Sequence, residues 1–191
     1  VPPTRDAVAE FMAWTDRDPD EVIGVLAPEF REATVWSVAV NGVMSGCRPE
    51  YMPVLLGIVE AISAPEFKIE DAGCTPGWEP LVVVSGPAVK QLGFNTKEGV
   101  FGHGCRPSAA IGRAIRLALV NIGGAIPTLG DMSTFGAPSK FSYVVAENEA
   151  GNPWEPLGIS AAITDNPLGA LRPSLAVAPD GMVYMAYVNL N

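Results

Sequence analysis

The chain has 191 residues, 48% of them apolar, and a formal charge of −9. That length buries one good core and fits a single domain. The acidic balance excludes a basic nucleic-acid-binding face, and no apolar run has the length needed to span a bilayer.

In chain order, residues 4–16 predict a short helix with Ala7, Val8, Phe11 and Met12 as its apolar stripe. Asp18-Pro19-Asp20-Glu21 has the cap, proline and acids of a helix start, leading into Val22–Leu26 until Pro28 stops it. Thr34 can cap the next helix, although Val35, Val38 and Val43 suit a strand equally well. From Pro49 to Ile62 the apolar residues recur at helical spacing, and Pro53 implies a kink or a later start. Residues 67–72 predict a strand, 74–80 a turn-rich loop, and Leu81-Val82-Val83-Val84 a strand covered on both faces.

A glycine-punctuated segment, 93–104, follows and holds the single histidine, His103. Residues 108–122 predict a helix with a stripe of Ile111, Ala114, Ile115, Ala118, Leu119 and Ile122, ended by Gly123-Gly124. Arg113 and Arg116 fall on another side, as solvated charges unless a pocket lies beside Arg106. Beyond the long loop 123–140, a length usually functional or mobile, Phe141 to Ala146 predicts a buried strand. Ser174–Ala178 and Met182–Val188 flank Pro179-Asp180-Gly181, a hairpin turn. The expected class is α/β, a mixed sheet covered by helices with a C-terminal β-hairpin, all within one domain over 1–191.

Gly46-Cys47-Arg48-Pro49 returns as Gly104-Cys105-Arg106-Pro107, and Trp78-Glu79-Pro80-Leu81 returns as Trp154-Glu155-Pro156-Leu157. The first pair suggests partly duplicated strand-turn-helix units. Proline suits the first position of a helix, so each Cys-Arg pair is expected at a helix mouth. Unpaired N–H groups and the macrodipole favour a thiolate there. Arg48 and Arg106 have the geometry to grip a carboxylate or phosphate, with an ion pair to Glu50 or Glu149 as the plain alternative. Glu147 and Glu149 stand at a strand end, where α/β sheets tend to hold ligands. One imidazole excludes a histidine-based metal cage. Cys74 reads as a structural or resolving thiol. Three cysteines are an odd count, unlike a secreted disulfide framework, and no basic-then-apolar leader precedes them, so a cytoplasmic location is expected. Opening on Val1 suits a trimmed chain or one segment of a longer product.

Several stretches carry a family resemblance: Arg17-Asp18-Pro19-Asp20-Glu21-Val22, Val38-Ala39-Val40-Asn41, Gly46 to Val54, Ile111 to Leu117, Asn121 to Ala125, Ala146-Glu147-Asn148-Glu149 and Pro153 to Leu157. On these the chain resembles an uncharacterised bacterial family found beside, or joined to, domains with the Sec/Cys-Gly-Ser-Cys (UGSC) motif. The likeness covers most of 17–157, and the tail 158–191 lies outside it. It implies Cys47 over Cys105 as the working thiol, and a UGSC-type redox subunit as partner, since that motif is absent from this chain.

The leading expectation is a cytoplasmic enzyme or enzyme subunit, an oligomer, using Cys47 for redox or nucleophilic chemistry. Arg48 and Arg106, with Asn41 and Asn148, would hold a small anionic substrate, while Glu147, Glu149 or His103 would move protons. The second reading is a non-catalytic assembly subunit with Trp78 and Trp154 facing a partner, and the third a metal-dependent hydrolase or lyase. No cofactor is indicated.

Overall fold

Thr4 accepts a hydrogen bond from the Ala7 amide at 3.3 Å and so caps the first helix, α1 (Arg5–Met12), which buries Val8 and Phe11. The computed structural model describes residues 1–69 and 77–148 in full, and residues 174–177 and 183–189 as backbone. After α1 the chain departs from the helix expected over 18–26. Val22–Leu26 is a strand, β1, paired antiparallel with β2 (Arg31–Thr34). The acidic start signal is real, but five residues rich in β-branched side chains gain more by pairing than by forming a single helical turn.

Thr34 then settles the ambiguity that followed it. Its hydroxyl accepts from the Ser37 amide at 3.1 Å, while the Ser37 hydroxyl accepts from the Thr34 amide at 3.0 Å. This reciprocal capping opens α2 (Val35–Ser45), with Val38, Ala39 and Val43 buried along it. After a 3₁₀ turn at Pro49–Tyr51, α3 runs Met52–Ser63, its later start leaving Pro53 in the first turn, where no backbone bond is lost. Nine of its twelve residues are buried, so it is the central helix of the core. The strand expected over 67–72 is absent from its described part. A 3₁₀ turn covers Pro65–Phe67, Lys68 is left-handed at φ 50°, and 70–72 lie outside the described residues.

The four-stranded sheet has the order β4-β3-β6-β5. Its centre is β3 (Leu81–Ser85), parallel to both β4 (Val144–Ala146) and β6 (Val183–Asn189). The unbroken Val82-Val83-Val84 run is buried, as a parallel strand with neighbours on both edges requires. β5 (Ser174–Val177) closes the other edge, antiparallel to β6, forming the expected hairpin. The class is therefore mixed α/β. Between β3 and β4 lie α4 (Pro87–Gln91) and α5 (Arg106–Asn121). Helix α5 runs beside α2 and β4, and α3 beside β1 and β6. No helix among the described residues is long and apolar enough to cross a membrane.

Two close contacts fix α5. Gly112 faces Ser142, and a Cβ added there would stand 2.8 Å from the Ser142 Cα. Gly112→Ala should destabilise the protein by about 1–3 kcal/mol through overpacking, against a gain of roughly 1 kcal/mol in helix propensity. Chemical denaturation checks the sign, and a more stable variant would refute the contact. On another side, the Asn121 side-chain amide donates to Asn41 Oδ1 at 2.7 Å, joining α5 to α2. Asn121→Ala should cost about 1 kcal/mol by leaving a buried oxygen unpaired, read as a lowered denaturation midpoint.

Candidate functional site

The two Gly-Cys-Arg-Pro copies fold differently. In the first, Gly46 ends α2 in the left-handed conformation at φ 80°. Its amide bonds the Val43 carbonyl at 3.0 Å, and the Cys47 amide bonds the Gly42 carbonyl at 3.1 Å. This paired closure places Cys47 at the position whose side chain turns back onto the helix and packs against it. Cys47 is accordingly in the hydrophobic core, 8% exposed. Burial pushes its thiol up to about 11, with the Ser45 hydroxyl, 3.2 Å away, and Arg106 only partly opposing. The expectation of an ionised Cys47 at a helix mouth is thus corrected: the residue ends one helix, and Arg48, not Cys47, stands ahead of the following 3₁₀ turn.

In the second copy the frame moves by one residue. Cys105 itself is the N-cap, and Arg106-Pro107 begins the 16-residue α5. The sulfur receives the Asn95 amide at 3.3 Å and lies 3.3 Å from the Ser108 hydroxyl. Burial acts to raise this thiol, but hydrogen bonds from the Ser108 hydroxyl, the Ser108 amide and the Asn95 amide outweigh it. The net effect is to hold Cys105 below the ordinary thiol range. Its side chain is half-buried rather than sealed.

Arg106 links the copies. Its Nη2 donates to the Gly46 carbonyl at 3.2 Å across 60 residues of chain. Burial raises the Tyr51 hydroxyl, while Arg48 and Arg106 pull it back down, so both guanidinium groups act on that one oxygen. Arg48 lies 3.6 Å from Glu50 and is half exposed. The exposed Arg48 and Arg106 thus both lie near the buried Tyr51, and Arg106 bridges the two Gly-Cys turns.

The other expected residues lie elsewhere. Asn41 is buried and committed, donating to the Ser37 carbonyl at 2.8 Å and accepting from Asn121, so it is a helix-to-helix strut rather than a substrate ligand. His103 is exposed on the loop before Cys105. Glu147 and Asn148 follow β4 at the carboxyl end of the parallel strands, one register step beyond the Val84–Ala146 pair. Beside them, at the end of β3, Ser85 is buried, and its hydroxyl has no hydrogen-bond partner among the described residues. Glu149, Cys74 and the Trp154-Glu155-Pro156-Leu157 repeat lie outside the described residues. Trp78 is partly buried against the core and packs edge-on against Phe67, with ring centroids 5.9 Å apart. Among the described residues no group of three or more His, Cys, Asp or Glu side chains is placed to hold a metal ion.

Sequence reasoning missed a buried ion cluster. Arg116, expected in solvent, is 8% exposed. It donates to Asp131 at 2.6 Å and lies 3.5 Å from Glu79. Lys140 pairs with the same Asp131 carboxylate and donates to Ser133 Oγ at 2.9 Å. Burial alone would raise Asp131, but hydrogen bonds from Lys140, Ser133 and Arg116 hold it far below the usual carboxylate range. Glu79 goes the other way. Burial pushes it up to about 8, and Arg116 and Lys140 oppose this only in part while Asp131 adds to it. The available signal was the charge-poor loop 123–140, where Asp131 and Lys140 are the only charged residues.

Because Glu79 keeps its proton in the fold to about pH 8 and has an ordinary value of 4.5, folding takes up a proton between those limits. Stability should therefore fall as pH rises through that window. Glu79→Gln should flatten the fall, as read from denaturation midpoints at several pH values, and equal slopes in both proteins would refute it. No protein-family model, curated protein or solved structure matches this chain.

Proposed function

We propose that the protein is an enzyme, or one subunit of an enzyme, that uses a cysteine thiolate at a helix N-terminus on a small anionic substrate, with Cys105 as the working thiol. The observation that carries this reading is the contrast between the two copies of one motif: the Cys47 thiol is pushed up to about 11, while hydrogen bonds at the mouth of α5 hold Cys105 low. A thiolate, not a thiol, is the nucleophile in covalent and redox chemistry alike. Arg106 follows Cys105 directly, and with Arg48 it offers the charge and fork geometry that a carboxylate or phosphate needs.

Of the expected proton carriers, His103 shares a loop with Cys105, and Glu147 at the sheet end is the less suited. The UGSC-type subunit suggested by the family resemblance remains the proposed redox partner, supplying the Sec/Cys-Gly-Ser-Cys motif that is absent from this chain. A cytoplasmic setting, where a free thiolate persists, belongs to the same proposal.

The test is alkylation with a small haloacetamide over a pH series, with the modified residue mapped. Cys105 should react several-fold faster than a free thiol near neutral pH, with a midpoint below the ordinary thiol value, while Cys47 stays protected until the protein unfolds. Arg106→Ala should slow modification by a charged haloacetate more than by the neutral amide. Faster modification of Cys47, or a Cys105 no quicker than free cysteine, refutes the proposal.

A further inference from the structure

The loop between α5 and β4 combines a rigid interior with an apolar exterior. Phe101, Leu129, Met132, Phe135 and Phe141 are each between 66% and 88% exposed, and Ile126 lies beside them in sequence. The loop is held from within. Asp131 pairs with Lys140 and Arg116. The amides of Leu129, Gly130 and Asp131 all bond the Ile126 carbonyl at 3.0–3.1 Å. The Phe101 ring stacks on Tyr143 with centroids 5.7 Å apart, which brings it to the foot of the same loop. These side chains are therefore presented on a fixed frame, and little ordering remains for a partner to impose.

The size of the patch and its charge both bear on what covers it. At about 150–250 Å² per aromatic side chain, the three phenylalanines with Leu129 and Met132 expose on the order of 700 Å². Four of these side chains fall within 129–141 and the fifth stands against Tyr143, and their summed exposure approaches the ~800 Å² per partner of a standard interface. In a chain of charge −9, the only charged residues in the stretch 117–146 are Asp131 and Lys140, and Asp131 is paired with both Lys140 and Arg116. Two copies can meet there without setting like charges face to face, whereas most other surfaces of so acidic a chain would repel.

We infer that this loop is the contact face of a homodimer, in which a second copy of the chain lays the same apolar patch against the first about a two-fold axis. The interface is independent of the thiol chemistry proposed above, so either idea can fail alone. The experiment is sedimentation velocity on the full chain over a concentration series, with wild type compared against the double variant Leu129→Asp/Phe135→Asp. The wild type should dimerise, and the double variant should weaken dimerisation by about 100-fold or more. Trp14→Asp, which alters an exposed aromatic outside this loop, just past the end of α1, should leave the dimer intact. Phe141→Lys, outside the hydrogen-bonded turn at Ile126, gives a second reading should the double variant fold poorly. A wild type that stays monomeric at every concentration overturns the inference. So does a dimer that survives both loop variants, or one that Trp14→Asp dissociates.

Discussion

A guanidinium buried in a protein must be neutralised where it lies, because removing a charge from water without a partner costs several kcal/mol. Arg116 imposes that constraint here. It sits in the middle of α5, and its partners come from two other parts of the chain: Glu79 just ahead of β3, and Asp131 in the loop ahead of β4. Satisfying one side chain thus draws the approach to both parallel strands onto the same helix. Asp131 serves two cations at once, Arg116 and Lys140, so the loop closes on itself through the charge that holds it to α5. Glu79 is the weaker partner, and its raised value means that near neutral pH the cluster carries Asp131 as its one full negative charge.

Fixing the middle of α5 also fixes its ends. Toward the C-terminus, Asn121 reaches Asn41 on α2. Toward the N-terminus, Arg106 reaches the carbonyl of Gly46, where α2 ends. Helices α2 and α5 are therefore tied by a polar contact at each end of their packed interface. Cys105 and Arg116 are eleven residues apart, about 16 Å along a helix axis. The charged cluster and the thiol are for that reason separate places, one acting as the anchor and the other as the exposed end that the anchor orients.

The sequence was most informative where a local pattern agreed with its tertiary setting. Val82-Val83-Val84 read as a doubly covered strand and is one, and the stripe of Ile111, Ile115 and Leu119 identified α5. The Pro179-Asp180-Gly181 turn signalled a hairpin whose two strands are present. It was least informative where pairing overrode local signals. Asp18 to Glu21 carried the marks of a helix start, yet β1 pairs with a strand, Arg31–Thr34, whose charged residues gave no periodic cue. Arg116 lay one step off the apolar stripe, and nothing local distinguishes a solvated arginine from a buried one whose counter-ions stand 15 and 37 residues away. Asn41 failed likewise, since its partner is 80 residues distant.

The two Gly-Cys-Arg-Pro turns sharpen this point, because four identical letters give opposite sulfur environments. What differs is the neighbour on the N-terminal side. Ahead of Gly46 stands a helix, so the glycine is consumed in ending it and the next residue folds back onto the apolar face just completed. Ahead of Gly104 stands an exposed loop with no helix to end, so Cys105 is free to cap the helix that follows. The same side chain meets hydrocarbon in one case and amide hydrogens in the other, and that difference moves the two thiols in opposite directions. The family resemblance implied Cys47 over Cys105. A helix-closing turn, however, needs its glycine and a compact apolar successor for packing alone, whatever the chemistry of the sulfur. The polarity of the helix next to each cysteine, more than the motif containing it, decides which sulfur is available to react.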